Sequence, residues 1–185
     1  MAGAKPHYSN LDMLRAFLFL ESRLSRAHLV DRLSLGEGVV RSILDDLKDK
    51  DYLDSNRKGH ILTTKGKEVL NEFKSRFSGP VKALLDELGQ HQYAVVVKRP
   101  KMPLDALNAR DEAVRAGSLG ALVFYHSGKL MMPPMRSARK EFSHLSKVYS
   151  LKERQALVIA FSSDTRTAQN GALAAAMHLG GEFDI

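Results

Sequence analysis

The sequence predicts an α+β protein in two parts, a helical part carrying one β-hairpin and then a small α/β sheet domain covered by helices. Three observations carry this. Apolar residues recur at helical spacing through most of the first half. Two short β-prone runs flank Asn56-Arg57-Lys58-Gly59, a turn that suits a hairpin. Beyond Tyr93, continuous apolar runs such as "YAVVV" and "QALVIAF" alternate with helical patterns. The expected division is 1–78, a linker or helix over 79–92, and 93–185.

The elements follow in order. "LDMLRAFLFLESRL" places Leu11, Leu14 and Leu18 on one face, widened by Ala16 and Phe17, with Asn10 as N-cap. "SRAHLVDRL" reads as a helix capped by Ser25, with Leu29, Val30 and Leu33 inward. Leu35-Gly36-Glu37-Gly38 is a tight break. Val40, Ile43, Leu44 and Leu47 then recur at i, i+3, i+4 and i+7. After the hairpin, "TTKGKEVLNEFKSRF" returns to helix, with Thr64 as candidate cap and Val69, Leu70, Phe73 and Phe77 inward. "VKALLDELG" reads as one more amphipathic piece on Val81, Leu84, Leu85 and Leu88.

In the second half, "LDALNARDEAVRAG" is a helix closed by Gly117. "GALVFYHSGKLMMPP" reads as strand, Ser127-Gly128 turn, strand, and "ARKEFSHLSKVYS" as helix. "DTRTAQNGALAAAMHLGG" is a helix from Asp164 to Gly180, with Ala168, Ala172, Ala175 and Leu179 inward.

Composition limits the function. Apolar residues make up 44% of the 185, enough for a packed core. Cysteine is absent, which removes disulfides, cysteine-ligated zinc and thiol catalysis. The N-terminus "MAGAKPHYSN" is too polar for a signal peptide, and no apolar run approaches the ~18 residues that span a bilayer. A cytoplasmic protein with no membrane partner is expected. The net charge of +7 favours polyanions but singles out neither half. Residues 1–78 hold 14 Lys+Arg against 11 Asp+Glu, and residues 79–185 hold 14 against 10. The seven histidines form no H-x-H or HExxH pair, and there is no G-x-S-x-G, P-loop or Rossmann glycine set. No enzyme activity and no cofactor are expected.

Helix, helix, sharp turn, helix, hairpin, helix over residues 10–77 resembles the winged helix-turn-helix plan. "ILTTKGKEVL", with Leu62, Thr63 and Gly66, is similar to the Leu-Thr-x-x-Gly step of many bacterial and archaeal winged-helix regulators. The resemblance implies a recognition helix whose outer face carries Glu37, Gly38, Arg41, Ser42 and Asp45. Arg41 has the fork for a guanine edge, and Ser42 can bond a base or phosphate. Arg57, Lys58 and His60 at the wing, and Ser25, Arg26 and His28 at the start of the second helix, would hold backbone phosphates. Yet Leu33–Leu53 carries four aspartates and one glutamate against Arg41, Lys48 and Lys50. Asp45, one turn after Arg41, is the objection. It can accept from a cytosine amino group or pair with Arg41. An acidic outer face equally suits a winged helix that docks on protein.

The second half offers weaker candidates. Ser162, Ser163, Asp164, Thr165 and Arg166 sit where strand gives way to helix, a place for a small anionic effector or for plain capping by Asp164. Arg110-Asp111 reads as a solvated pair. Lys129, Arg136, Arg139 and Lys140 read as a basic loop that either binds phosphate or is simply solvated.

"ARDEAVRAGSLGALVFYHSGKLMMPP" and "NGALAAAMHLG" extend the resemblance to nearly the whole chain. They resemble an archaeal family that pairs an N-terminal winged helix-turn-helix with a C-terminal α/β domain of unknown function. The first half is also similar to the DNA-binding domain of sugar-operon repressors, although the second half is too short for their phosphosugar domain. The resemblance implies a transcription regulator, and the winged-helix pattern joined to an α/β domain without catalytic residues leads to the expectation of double-stranded DNA bound by a homodimer.

Overall fold

The computed structural model describes residues 8–83, 85, 88–89, 91–135 and 137–185. It is α+β and forms two compact units, one reaching Phe73 and joined by Asp184–Ile185, the other covering Lys74–Phe183.

In the first unit, α1 (Asn10–Phe19) is capped by Ser9 rather than Asn10. The Ser9 hydroxyl accepts the Asp12 amide at 3.1 Å, and the Asp12 carboxylate accepts the Ser9 amide at 3.0 Å. Asp12 completes a capping box, which moves the helix start back by one residue. The buried face is Met13, Leu14, Ala16, Phe17 and Leu20, so it is centred one residue away from the expected Leu11 and Leu18, which are half-buried. Sequence gave no warning of the buried ion pair here. Arg15 meets Asp12 at 3.2 Å with both side chains 0% exposed, and Arg15 also donates to the Leu33 carbonyl at 3.1 Å. That bond fastens α1 to the end of α2 (Arg26–Leu33).

Ser34 in the left-handed conformation (φ 56°) ends α2. In α3 (Glu37–Asp49), Val40, Ile43, Leu44 and Leu47 are all buried, as their spacing predicts. Strands β1 (Leu53–Asn56) and β2 (Gly59–Leu62) pair antiparallel with Asn56 opposite Gly59. Leu24 adds a short third edge. Its amide donates to the His60 carbonyl at 3.0 Å, and the His60 amide returns a bond at 2.8 Å. Gly59 has φ +120°, and a Cβ there would lie 2.6 Å from the Leu24 carbonyl oxygen, so only glycine fits.

The Leu-Thr-x-x-Gly step has a physical reading. Thr63 donates its hydroxyl to the Asp51 carbonyl at 2.8 Å and accepts the Gly66 amide at 3.0 Å. Thr63, not Thr64, therefore caps α4 (Thr64–Arg76). A Cβ on Gly66 would stand 2.3 Å from the Tyr52 carbonyl oxygen. The hairpin and α4 thus approach as closely as backbone allows. Gly66, Leu70 and Phe73 form the inner face, with Val69 half-buried.

In the second unit, the expected linker over 79–92 opens as a strand. β3 (Phe77–Lys82) pairs antiparallel with β4 (His91–Val97), with an irregularity between Ser78 and Val81 around Gly79-Pro80. Proline lacks an amide to give to the ladder, and an edge strand with a bulge tolerates it. Of the helix expected on Val81, Leu84, Leu85 and Leu88, Val81 lies in this strand and Leu85 and Leu88 are not helical, while Leu84 lies outside the described residues. Buried Gln92 holds the loop, accepting the Leu85 amide at 2.8 Å and donating to the Leu85 and Gly89 carbonyls at 2.8 and 3.0 Å and to that of Leu88.

The remaining elements are α5 (Ala106–Arg115), β5 (Gly120–Ser127), β6 (Lys129–Met131), a 3-10 turn at Lys140–Phe142, α6 (Leu145–Val148), β7 (Ala156–Ser162) and α7 (Thr165–Gly180). The helix expected over 138–150 is thus only two short turns. The sheet runs β3-β4-β7-β5-β6 with every pairing antiparallel. Helices α5 and α7 cover one face. Their contact lines are alanine and glycine, and a Cβ on Gly171 would fall 1.8 Å from the Ser118 hydroxyl. Ala94, Val96, Phe124, Leu157 and Ile159 point to the other face, where Leu130, Met132, Leu145 and Leu151 cover them. Burial on both faces explains why β4 and β7 read as continuous apolar runs. Among the described residues no helix is long and apolar enough to cross a membrane.

Candidate nucleic-acid interface

The core anchors of α3 turn Glu37, Gly38, Arg41 and Asp45 outward, and all four are exposed. Ser42 is half-buried and donates to the Gly38 carbonyl at 3.3 Å, a bond within its own helix. Gly36 caps α3 without a side-chain bond. A Cβ at Gly36 or Gly38 would meet nothing within 4 Å. Packing therefore does not demand either glycine, and the backbone at these two positions faces open space.

The charges on this face are paired differently from the sequence expectation. Arg41 pairs with Glu37 at 3.6 Å, and Arg26 reaches the same Glu37 oxygen at 3.3 Å. Asp45 pairs with Lys48 at 3.9 Å. Restraint of Arg41 thus falls to Glu37, because a glutamate one turn toward the N-terminus has the better reach and dipole alignment. Asp46 accepts the Tyr8 hydroxyl. Asp51 closes the helix with φ +62°, and its carbonyl receives Thr63.

At the start of α2, the Ser25 hydroxyl accepts the His28 amide at 3.3 Å and lies 3.0 Å from the His28 ring. Arg26 is half-buried, and its Nε is enclosed without a partner. Arg26, Ala27, Val30, Asp31 and Glu37 line a shallow hollow between α2 and α3.

Arg57 and Lys58 stand exposed at the hairpin tip. Asn56 shapes the turn, its side-chain oxygen accepting the Lys58 amide at 2.8 Å and Arg23 at 3.0 Å. Sequence reading passed over Arg23, although its place before the Ser25 cap brings it to this tip. His60 departs from its expected role. It is half-buried with Nδ1 2.7 Å from the Ser55 hydroxyl. Burial, then Lys48 and Arg26, lower its pKa against a smaller opposite pull from Asp45. At neutral pH it is an uncharged hydrogen-bonding ring, not a counter-charge.

The turn at 162–166 is bonded inward. Ser162 is buried and accepts the Thr167 hydroxyl at 2.7 Å. Asp164 caps the Thr167 amide at 2.9 Å, and the Thr165 hydroxyl lies 2.9 Å from His91 Nδ1. Ser163 is exposed and Arg166 half-buried. An open hollow lies at the opposite end of α7, lined by Lys101, Pro103, Asp105, Met177, His178, Leu179 and Glu182. There His178 meets Asp105 at 3.3 Å. Arg110 is not the solvated partner of Asp111 but half-buried, donating to the Pro133 carbonyl at 3.0 Å. Lys129, Arg139 and Lys140 are exposed, and Arg136 lies outside the described residues. Among the described residues no group of acidic or histidine side chains has the geometry of a metal site.

Comparison with known proteins gives two family matches within the chain. No curated protein matches the chain. Residues 11–68 match the family described as PH0730-like, N-terminal domain. Residues 88–179 match the family described as a domain of unknown function (DUF4443). Among solved structures, the chain is similar to "Hypothetical protein PH0730 from Pyrococcus horikoshii OT3", with 28% identity over 94% of this chain and 93% of that one and a TM-score of 0.76. The two matches, to a PH0730-like N-terminal domain and to a DUF4443 domain, follow one another along the chain.

Proposed function

We propose that the first unit is a winged helix-turn-helix and that the chain is a DNA-binding transcription regulator. The observation that carries this reading is the pair of glycines that flank Glu37 at the start of α3 and face open space. Gly36 and Gly38 leave the backbone bare where a recognition helix meets a groove, with Arg41 one turn behind. Exposed Arg57 and Lys58 at the wing, and Arg23 and Arg26 beside α2, supply the phosphate-holding charges. The second unit would serve as homodimer contact or as the site of a small anionic effector at Ser162–Arg166. Two-fold symmetry would then set the spacing of operator half-sites.

A mobility shift with genomic fragments at low and moderate salt tests this. The expected result is salt-sensitive binding that weakens in Arg41→Ala combined with Arg57→Ala. Absence of a shift at low salt, or indifference to both substitutions, rejects the reading.

A second reading has its own observation. Glu37 pairs with both Arg26 and Arg41, so part of the positive charge of α2 and α3 is already offset. Such a surface suits a protein partner. Native co-purification of a stoichiometric partner, lost on charge reversal of Asp45 and Asp46, would favour it.

A further inference from the structure

The chain's positive charge is not where the winged-helix reading needs it. Residues 1–73 hold 12 Lys+Arg and 11 Asp+Glu, a net of +1. Residues 129–154 hold 7 Lys+Arg and 2 Asp+Glu, a net of +5 out of the chain's +7.

These residues form one layer over the second face of the sheet. Leu130, Met132, Leu145 and Leu151 are buried in the core beneath it. Phe142 meets Phe124 edge-on at 5.3 Å, and the Ala138 amide bonds the Leu130 carbonyl at 3.0 Å. With the apolar positions pinned inward, Lys129, Arg139, Lys140, Lys147, Lys152 and Arg154 are all exposed. Both anions of the layer are engaged. Glu141 lies 3.5 Å from Arg139. Glu153 accepts the Gly128 amide at 2.8 Å and faces His126 at 3.6 Å. Six exposed cations against two engaged anions leave this segment with an unbalanced positive charge, which a polyanion laid across it would offset.

We infer that the 129–154 layer is a second, sequence-independent contact surface for the phosphodiester backbone of duplex DNA. This rests on the reading of the chain as a DNA-binding protein and adds the surface that supplies its electrostatic affinity. A backbone-tracking surface needs several separated cations and no base-reading pocket, and that is what the layer offers. An anionic membrane is the less favoured partner. Helix α6 is only four residues long, and the exposed apolar side chains here are Met135 and Val148, too little for interfacial insertion.

The test uses the full chain with Lys129, Lys140, Lys147 and Lys152 changed together to Gln, and a matched set changed to Arg. Binding to a short duplex of arbitrary sequence is followed by fluorescence anisotropy across a salt series. Each lost phosphate contact lowers the log–log salt slope by roughly 0.9, so the Gln set should lose about 2 to 4 from the slope and at least about tenfold in low-salt affinity. The Arg set should keep both, and both sets should keep the parent melting temperature. An unchanged slope in the Gln set overturns the inference. So does loss of binding to phosphatidylglycerol vesicles while the duplex slope stays the same. The Arg41→Ala, Arg57→Ala variant runs in parallel. Should it bind like the parent while the Gln set weakens, the α3 reading fails and the layer stands; the reverse pattern fails the layer and keeps α3.

Discussion

The outer face of α3 and the 129–154 layer are both charged surfaces, but they are built on opposite principles. On α3 the cations have anions beside them, with Arg26 and Arg41 on Glu37 and Lys48 on Asp45. On the layer, six exposed cations outnumber two engaged anions. A balanced surface holds its side chains in place and adds little long-range attraction. An unbalanced one attracts from a distance but specifies little. The same chain thus separates positioning from attraction, and each property is open to test by substitution.

The largest effect should come from the buried pair that fastens α1 to the end of α2. Asp12→Ala removes the carboxylate from beside the buried Arg15, and loss of one partner of a buried ion pair costs about 3–5 kcal/mol. Hydrogen exchange in urea should show the loss confined to residues up to Phe73, with β4 and β7 still protected. If both units lose protection together, the separation of the two surfaces into independent units is wrong. Replacing the pair with Asp12→Leu and Arg15→Met should recover most of the loss.

Gly38→Ala should act in the other direction. A Cβ there meets open space, so the helix gains up to about 1 kcal/mol from the better helix former. A higher melting temperature with weaker duplex binding is expected. Stronger or unchanged binding would show that the bare backbone is not approached by DNA.

Glu37→Gln converts the α3 face partway into the layer's kind of surface. Freeing Arg26 and Arg41 should raise duplex affinity at low salt by up to about fivefold, since an exposed pair is worth about 1 kcal/mol or less. A fall in affinity would instead mark Glu37 as an organiser of the face.

The smallest effect is the pH response of His60. Its folded-state pKa is lowered from 6.5, so the unfolded chain binds the proton more readily. Stability contributed at this site is fully present above about pH 6.5 and declines as pH falls below that value. Thermal melts from about pH 7.5 to 5 should show a shallower acid decline in His60→Gln than in the parent. Parallel curves would place the acid sensitivity elsewhere.

Much of the first unit was legible because its cues are local. Val40, Ile43, Leu44 and Leu47 repeat at the helical period, and Asn56 to Gly59 carry turn chemistry. The Leu62-Thr63-x-x-Gly66 step encodes a cap and a close backbone approach within five residues. The partners on α3 were less legible. Arg41 has acidic residues one turn before and one turn after it, and only the folded rotamers choose Glu37. Arg26 reaches Glu37 across eleven positions of sequence, which no periodicity reports. His60 looked like an exposed wing cation because its Ser55 bond and its burial arise from strand register.

By itself, the sequence determined the helices and hairpin of the first unit, the helical face of α3, the two-sided burial of β4 and β7 and the size of the net charge. Each depends on neighbours within a few turns or on composition alone. Tertiary structure decided the strand at Phe77–Lys82, the burial of the Asp12–Arg15 pair against the Leu33 carbonyl and the link of Arg26 to Glu37. Those depend on groups brought together from distant positions. Burial and hydrogen bonding are satisfied in space, and the chain's order records them only where contact and sequence neighbourhood coincide.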